Sequence, residues 1–568
     1  MNIFDNYKFK LDDSDNDKLI KNNKFELGEN GSVCYKSTNN PGLDLFFKLV
    51  RDIDNDNLIY LIENIIKTNN SEYIAELFVQ CFQVRNCRGG KGERLLSYKI
   101  MYQLYLNFPL TVFSLIHLYK DYGYWNDLNN LLFFVDYYIF DDNDKFKNKI
   151  IQIYSNQLKE DKIKIDNGET KISLAAKWAP RENHKFSKKH RNLFNDLLFE
   201  IFPYIQKNKR YKAYRQLISS LNTYLNTTEI LMCNGSWSKI NYSTVPSLNL
   251  KKWRKAHLNE LCKIKLTNSF LETGNRYPDN EDRINARKNL LSTIRDPEKK
   301  ISGKQLMPHE ITRIFFHDRY NNIISESEQE LLQTQWETLK STVISKGRKA
   351  IPLCDVSGSM SGLPMDVSIG LGILLSEITH DNFKNLIITF HEVPCILNLS
   401  DCSNLKEKVH KLSESEWGGN TNLEKVFDLI LDIIDKNDIK SEDIPDLVIF
   451  SDMQFDEATN FGKKDFNTNL NIIKNKFKTR NLICPRIIFW NLRDSIGYPS
   501  TENSENIIML SGFSPSLLKF ILENEIVSEP TPLEVYLDII NDTQYDPIRL
   551  ILNDSNEGIL INYKFNVI

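Results

Sequence analysis

A chain of 568 residues is several times the ~100 to 200 residues of a usual domain, which excludes one compact unit. Its 41% hydrophobic and 26% charged residues exclude a disordered or collagenous chain. The net charge of −3, from 72 Lys+Arg and 75 Asp+Glu, taken whole argues for neither a nucleic-acid nor an acidic partner.

Residues 1–40, rich in Asn, Asp and Ser without a sustained period, read as a loose lead-in. They contain no apolar run after a charged start, so neither a secretion signal nor a membrane anchor is expected. From Asp44 to about Tyr138, LIYLIENIIK, YIAELFVQCFQV, RLLSYKIMYQLYL and LTVFSLIHLY repeat apolar residues at helical spacing, separated by polar breaks such as TNNSE and RGGKGE. This predicts paired antiparallel helices stacked as a HEAT-like α-solenoid. Helical character continues, with long polar insertions, through an α-helical domain over 41–347. After Ala350 the pattern changes: IPLC, LIITF, DLVIFSD, PRIIFWNLR and IIMLSG are short apolar runs suited to buried strands. Between them lie helical segments such as VSIGLGILLSEI and NLEKVFDLILDIID. The alternation predicts a doubly wound, Rossmann-like α/β domain over 348–528, and residues 529–568 form a C-terminal extension expected to pack on one of the two domains. The fold class is thus multidomain α + α/β.

Divided at the start of the α/β domain, the charge is no longer neutral. Residues 351–568 carry 18 basic and 33 acidic side chains, a net of −15, and residues 1–350 carry 54 and 42, a net of +12. The stretch 171–260, with 17 basic and 5 acidic residues, accounts for the whole positive excess. Nine cysteines without metal-ligand or disulfide-framework spacing point to free thiols in a reducing compartment, with the cytoplasm as the default location. The surplus of Asn, Ile and Lys points to an AT-rich genome such as that of a protist or a large DNA virus; for a viral chain the location becomes host cytoplasm or virion.

The sharpest motif is D-x-S-x-S: Asp355, Ser357 and Ser359, directly after the strand IPLC. A carboxylate and two hydroxyls on one turn can converge on a single point. Mg²⁺ and Mn²⁺ take about six oxygen ligands, usually including waters. Two more oxygens fall where an open α/β sheet binds its ligands: Thr421, in the glycine-rich GGNTN loop, and Asp452, at the end of DLVIFSD. A D-x-S turn that merely caps a helix is the bland alternative.

In this order the residues resemble a von Willebrand factor A domain with a metal-ion-dependent adhesion site. The resemblance implies one Mg²⁺ or Mn²⁺ held directly or through water by Asp355, Ser357, Ser359, Thr421 and Asp452, with a coordination position open to an acidic residue of a partner protein. Paired helices followed by such a domain resemble the TROVE, or Ro-like, RNA-binding architecture. RNCRGGKGER, DYGYWNDL, SLAAKWAPRE and SWSKINYSTVPS are most similar to a related family of unknown function with that layout.

RNCRGGKGER gathers Arg85, Arg88, Lys91 and Arg94 around three glycines, whose backbone N–H groups can approach an anion. It departs from a Walker A loop at Arg85 and Gly92, and a flexible basic turn is the plain alternative. The 171–260 stretch adds Lys177, Arg181, Lys188, Lys189, Lys207, Lys209, Arg210, Lys212, Arg215, Lys252 and Arg254, interleaved with Trp178, Tyr211, Tyr214 and Trp253. Cations release phosphate counterions and aromatic faces stack unpaired bases, so RNA, structured or with single-stranded ends, is the expected partner. A merely solvated basic face is the alternative.

Catalytic signatures fail. His309-Glu310 begins like a zinc-protease helix but Arg313 replaces the second His, and although Cys354 and His391 could meet at strand ends, a Cys buried in a strand reads as a small apolar residue. The leading expectation is a non-enzymatic RNA-binding or ribonucleoprotein scaffold without a membrane. A protein-assembly module without nucleic acid is the alternative, and metal-dependent phosphoester hydrolysis is disfavoured for want of a second metal or a base.

Overall fold

A computed structural model describes residues 24–138, 144–182, 191–260, 275–318, 324–343, 347–390, 394–415, 423–437, 440–455, 469–523 and 529–556. The fold is mixed: a mostly helical N-terminal region, then a sheet of mainly parallel strands. The chain forms two compact units, one of residues 1–77, 307–322 and 340–542, the other of 78–306, 323–339 and 543–568.

The first unit contains β1 (Phe25–Leu27) and β2 (Val33–Tyr35), an antiparallel hairpin, and a six-stranded sheet. The six are β3 (Ala350–Asp355), β4 (Leu386–Phe390), β5 (Cys395–Asn398), β6 (Asp446–Ser451), β7 (Ile487–Asn491) and β8 (Ile507–Ser511), in the order β5-β4-β3-β6-β7-β8. All neighbours are parallel except β4 and β5. Every residue of β3, β7 and β8 is buried, as expected of parallel strands covered on both faces. Pro352, which lacks an N–H, is tolerated within central β3 where pairing with β4 has not begun; that register starts at Leu353. The order reverses at β3, so β4 and β6 flank it on opposite sides, the arrangement in which open α/β sheets bind ligands at the carboxyl ends of the strands.

Helix 363–378 follows β3, and Met365 to Ser376 are all buried. It packs on β3 and on helix 308–318, and a helix covered on two sides is apolar all round. Gly370 permits the crossing, since a Cβ there would lie 2.6 Å from His309 N.

The domain boundaries read from periodicity need correction at three places. Helices 41–48, 55–67 and 308–318, placed by their spacing in the 41–347 helical domain, belong to the unit with the sheet. The cause is tertiary: Ser511 Oγ donates to Phe46 O at 2.7 Å and Asn491 Nδ2 to Phe47 O at 3.1 Å, so the carboxyl ends of β7 and β8 hold that helix's last turn. The buried Lys48 ammonium donates to Ser495 O and, at 2.7 Å, to Gly497 O. Within the presumed loose lead-in, residues 24–40 are tied down by the hairpin, by the Tyr35–Tyr498 bridge and by Glu502 N donating to Thr38 O at 2.9 Å. The C-terminal extension is divided: helix 532–540 lies in the first unit and helix 546–556 in the second.

In the second unit, helices pack chiefly on near neighbours in sequence, 94–107 on 109–115 and 125–138, and 144–166 on 191–201. Its quoted strings interlock. Arg85 Nη2 lies 2.8 Å from Asp127 Oδ2, both side chains 2% exposed, and Tyr98 donates to Asp127 Oδ1. Cys87 N donates to Tyr122 O at 3.1 Å, and Arg88 Nη1 to Asp121 O at 2.6 Å. RNCRGGKGER and DYGYWNDL are therefore two halves of one buried polar joint.

Candidate metal centre

Asp355 is the last residue of β3 and Asp452 directly follows β6. Cys354 pairs with Phe450 in parallel register, so the next residues bring the two acids to the same carboxyl edge. Both carboxylates are fully buried and Ser357 is nearly so. Asp355 Oδ1 accepts from Ser357 N at 2.9 Å, a local turn that Asp forms readily. Asp355 Oδ2 accepts from Ser451 Oγ at 2.6 Å, and Ser451 Oγ in turn accepts from Met453 N at 3.0 Å. The hydroxyls of Ser357 and Ser359 are 3.0 Å apart. Met453 has a positive φ of 64°, a conformation that costs a non-glycine residue and bends the chain sharply after Asp452.

The electrostatics are unbalanced. Burial, then the charge of Asp452, pushes the Asp355 carboxyl up to about 7, against the bonds from Ser451 and Ser357. Asp452 Oδ1 accepts from Gln454 N at 3.2 Å, while Asp452 Oδ2 is buried with no hydrogen-bond partner among the described residues. A buried carboxylate oxygen without a donor beside a second carboxylate is an expensive arrangement unless positive charge compensates it. The donors are all oxygen, which suits a hard divalent cation and not a thiophilic one. Among the described residues no group of three or more His, Cys, Asp or Glu could hold a metal; this site has two acids beside two serine hydroxyls.

The structure thus brings Asp355, Ser357, Ser359 and Asp452 to one edge of the sheet, and Thr421 lies outside the described residues. Sequence reasoning missed Ser451 and Arg493. Ser451 could have been flagged as a hydroxyl at the carboxyl end of a strand. Arg493, whose Nη1 donates to Ser359 O at 2.7 Å, carries no local signal beyond following strand β7. Cys354 is an inert buried thiol, pushed up to about 12 by burial, and His391 is outside the described residues.

The basic candidates separate into three groups. In the glycine-rich loop, Asn86 Oδ1 accepts from Arg88 N and Gly89 N, and Asn86 O accepts from Gly90 N and Gly92 N. Lys91 N and Glu93 N donate to Gln83 O and Val84 O. Every N–H expected to cradle a phosphate is spent inside the loop, and the side chains of Arg85 and Lys91 are buried. Burial drives the Lys91 ammonium well below the ordinary lysine value. The loop is a structural joint and not an anion cradle; Arg88 and Arg94 alone of the four are exposed.

A second group is engaged within the fold. Lys177 pairs with Glu229 at 2.9 Å and Arg254 with the buried Glu328. Arg210 Nε donates to Phe202 O and Ile205 O at 3.1 and 2.8 Å. The third group is exposed: Arg181, Lys207, Lys209, Lys212, Arg215 and Lys252, with Lys252 over the half-exposed Trp253 ring. Lys188 and Lys189 lie outside the described residues. No described helix is long and apolar enough to cross a membrane.

Residues 349–548 match a domain of unknown function (DUF7788), and residues 28–147 and 137–260 match another (DUF2828). An uncharacterized protein of Acanthamoeba polyphaga mimivirus is 30% identical over 540 residues, covering 92% of this chain and 88% of that protein. Identity at that level across nearly the whole length of both chains places this one in the same family as the mimivirus protein, with a DUF2828 region followed by a DUF7788 domain.

Proposed function

We propose that this protein is a non-enzymatic RNA-binding scaffold whose α/β unit is a von Willebrand A-like domain carrying one Mg²⁺ or Mn²⁺. The observation that carries the metal reading is the pair of buried carboxylates, Asp355 and Asp452, with Asp452 Oδ2 lacking a hydrogen-bond partner among the described residues. Asp355, Ser357, Ser359 and Asp452 would hold the ion together with Thr421. Bound there, it supplies a Lewis-acidic point that an acidic residue of a partner protein can ligate. Ser451 fixes the Asp355 carboxylate, and Arg493, bound to the Ser359 carbonyl, steadies the turn. The reversal of strand order at β3 and the antiparallel edge strand β5 support the doubly wound reading.

The RNA part rests on the exposed cations of helix 207–225 and its surroundings, in the layout that resembles TROVE proteins. With Arg85 and Lys91 buried, the exposed candidates among the described residues are Arg88, Arg94, Arg181, Lys207, Lys209, Lys212, Arg215 and Lys252. A cytoplasmic or virion location belongs to the same proposal. The second reading, an assembly module without nucleic acid, is favoured by the pairing of Lys177, Arg254 and Arg215 with carboxylates of their own unit, which leaves fewer cations for phosphate. Sequencing the nucleic acid that copurifies with the full chain, with and without chelator, tests both. Enrichment of defined RNA supports the scaffold; salt-sensitive self-association with no retained RNA supports the assembly module.

A further inference from the structure

We infer that the second unit carries a built site for one unpaired nucleotide, in a cavity of about 370 Å³ whose lining includes Arg181, Glu182, Phe194, Tyr211, Tyr214 and Arg215. The inference rests on the RNA reading and gives it an address. Its walls come from four places: the turn after helix 175–178, helix 191–201, helix 207–225, and helix 228–233 with the residue after it. On helix 207–225, Tyr211, Tyr214, Arg215, Ile218 and Asn222 recur at three- and four-residue spacing and so share one face. The volume lies in the ~300 to 1,000 Å³ range of small-ligand pockets.

The lining chemistry selects the ligand. The Phe194 ring meets Tyr211 and Tyr214 edge-on, at centroid distances of 5.8 and 5.4 Å. Their hydroxyls are anchored, Tyr211 to Asn195 Oδ1 at 2.6 Å and Tyr214 to Pro180 O at 2.7 Å. The aromatic wall is thus held in place before any ligand arrives, which lowers the entropy lost on binding. Arg181 and Arg215 are both exposed at the rim, and guanidinium is the side chain best matched to a phosphate. Arg215 Nη1 lies 2.7 Å from Glu182 Oε2, an exposed pair that a phosphate can replace at small cost. The Tyr211 ring, partly exposed and braced by the buried Phe194 and Tyr214, beside two planar cations fits one base with its phosphate. A phosphopeptide would engage the two arginines but bring no base to stack on the Tyr211 ring, so it fits less well. Glu182 sets the affinity: while it holds Arg215 the site is partly self-neutralised.

The test is fluorescence anisotropy of the full chain with a labelled single-stranded oligouridylate at low salt, with uridine 5′-monophosphate as competitor. Tyr211→Ala should weaken binding roughly 5-fold or more, the effect of losing one stacking partner, and Tyr211→Phe should keep most of it. Arg215→Ala should also weaken binding, and Glu182→Gln should tighten it severalfold. Circular dichroism that matches the parent shows that each variant is folded. RNA binding that is equal in all four variants overturns the nucleotide site and leaves the RNA reading intact. Absence of binding to both oligouridylate and the monophosphate overturns both.

Discussion

The Ser451 hydroxyl donates to Asp355 Oδ2 at 2.6 Å, and through that bond the end of β6 sets the orientation of a carboxylate at the end of β3. Asp452, the next residue, presents one oxygen with no hydrogen-bond partner among the described residues. The proposed metal centre is thus organised by a serine that is not itself among its proposed ligands.

Asp355→Asn is expected to abolish Mn²⁺ binding measured by calorimetry. The same substitution should raise the stability of the metal-free protein by about 1 to 3 kcal/mol in urea unfolding at neutral pH, because it neutralises one of two adjacent buried carboxylates. Retained Mn²⁺ affinity would show that the ion, if any, binds elsewhere. Ser451→Ala should weaken binding about tenfold without eliminating it, as expected for a group that orients a ligand.

Gly90→Ala should destabilise the protein by about 3 kcal/mol. A Cβ there would lie 2.0 Å from Gln83 O, a backbone atom, whereas at Gly89 the close atom is Gln544 Oε1, the tip of a flexible side chain. Urea unfolding should therefore rank Gly90→Ala well below Gly89→Ala. Equal losses would show that the loop relaxes freely.

Arg85→Leu should lower stability by about 3 to 5 kcal/mol, the usual penalty for leaving a buried partner, here Asp127, unpaired. Low-salt RNA affinity of the fraction that remains folded should be unchanged. The triple charge reversal Lys207→Glu, Lys209→Glu and Lys212→Glu should do the opposite, cutting affinity tenfold or more, on the order expected for lost phosphate contacts, with little effect on stability. Filter binding and thermal melts on both variants separate the two roles.

His257 is buried, with Nε2 2.9 Å from Asn249 Oδ1 and the Trp237 and Tyr242 rings edge-on to it. Burial, then the Arg283 charge, lowers its pKa to about 4, with Glu229 opposing. A base whose folded pKa lies below its unfolded value of 6.5 contributes stability that is present above 6.5 and lost as pH falls through 4. Acidification across that window should remove about 3 kcal/mol from the second unit. His257→Gln should flatten this part of the profile in urea unfolding across the same range. An unchanged slope would assign the acid sensitivity to other groups.

Local chemistry was legible in the sequence and partnership was not. Asp355, Ser357 and Asp452 could be found because a strand's carboxyl end is visible as an apolar run followed by polar residues. The glycine-rich loop misled because composition shows three glycines among cations but not Asn86, which binds the loop's N–H groups, nor Gln544, whose Oε1 accepts from Asn86 Nδ2 at 2.7 Å from 458 residues away. Helix 41–48 looked like any solenoid helix. Only the carbonyls it gives to Asn491 and Ser511 reveal where it belongs.

The same contacts constrain how the protein is made. Phe46 and Ser511 are 465 positions apart, so a ribosome releases the first helices of the sheet-bearing unit long before the strands that will hold them. In the interval residues 78–306 and 323–339, most of the second unit, are synthesised, and closing so long a loop is slow relative to local helix formation. A fragment beginning at 348 would lack the carbonyls that Asn491 and Ser511 bind. Attempts to express the α/β half alone should therefore yield a poorly packed edge at β7 and β8, and a usable fragment has to carry residues 24–77 and 307–322 in trans or by fusion.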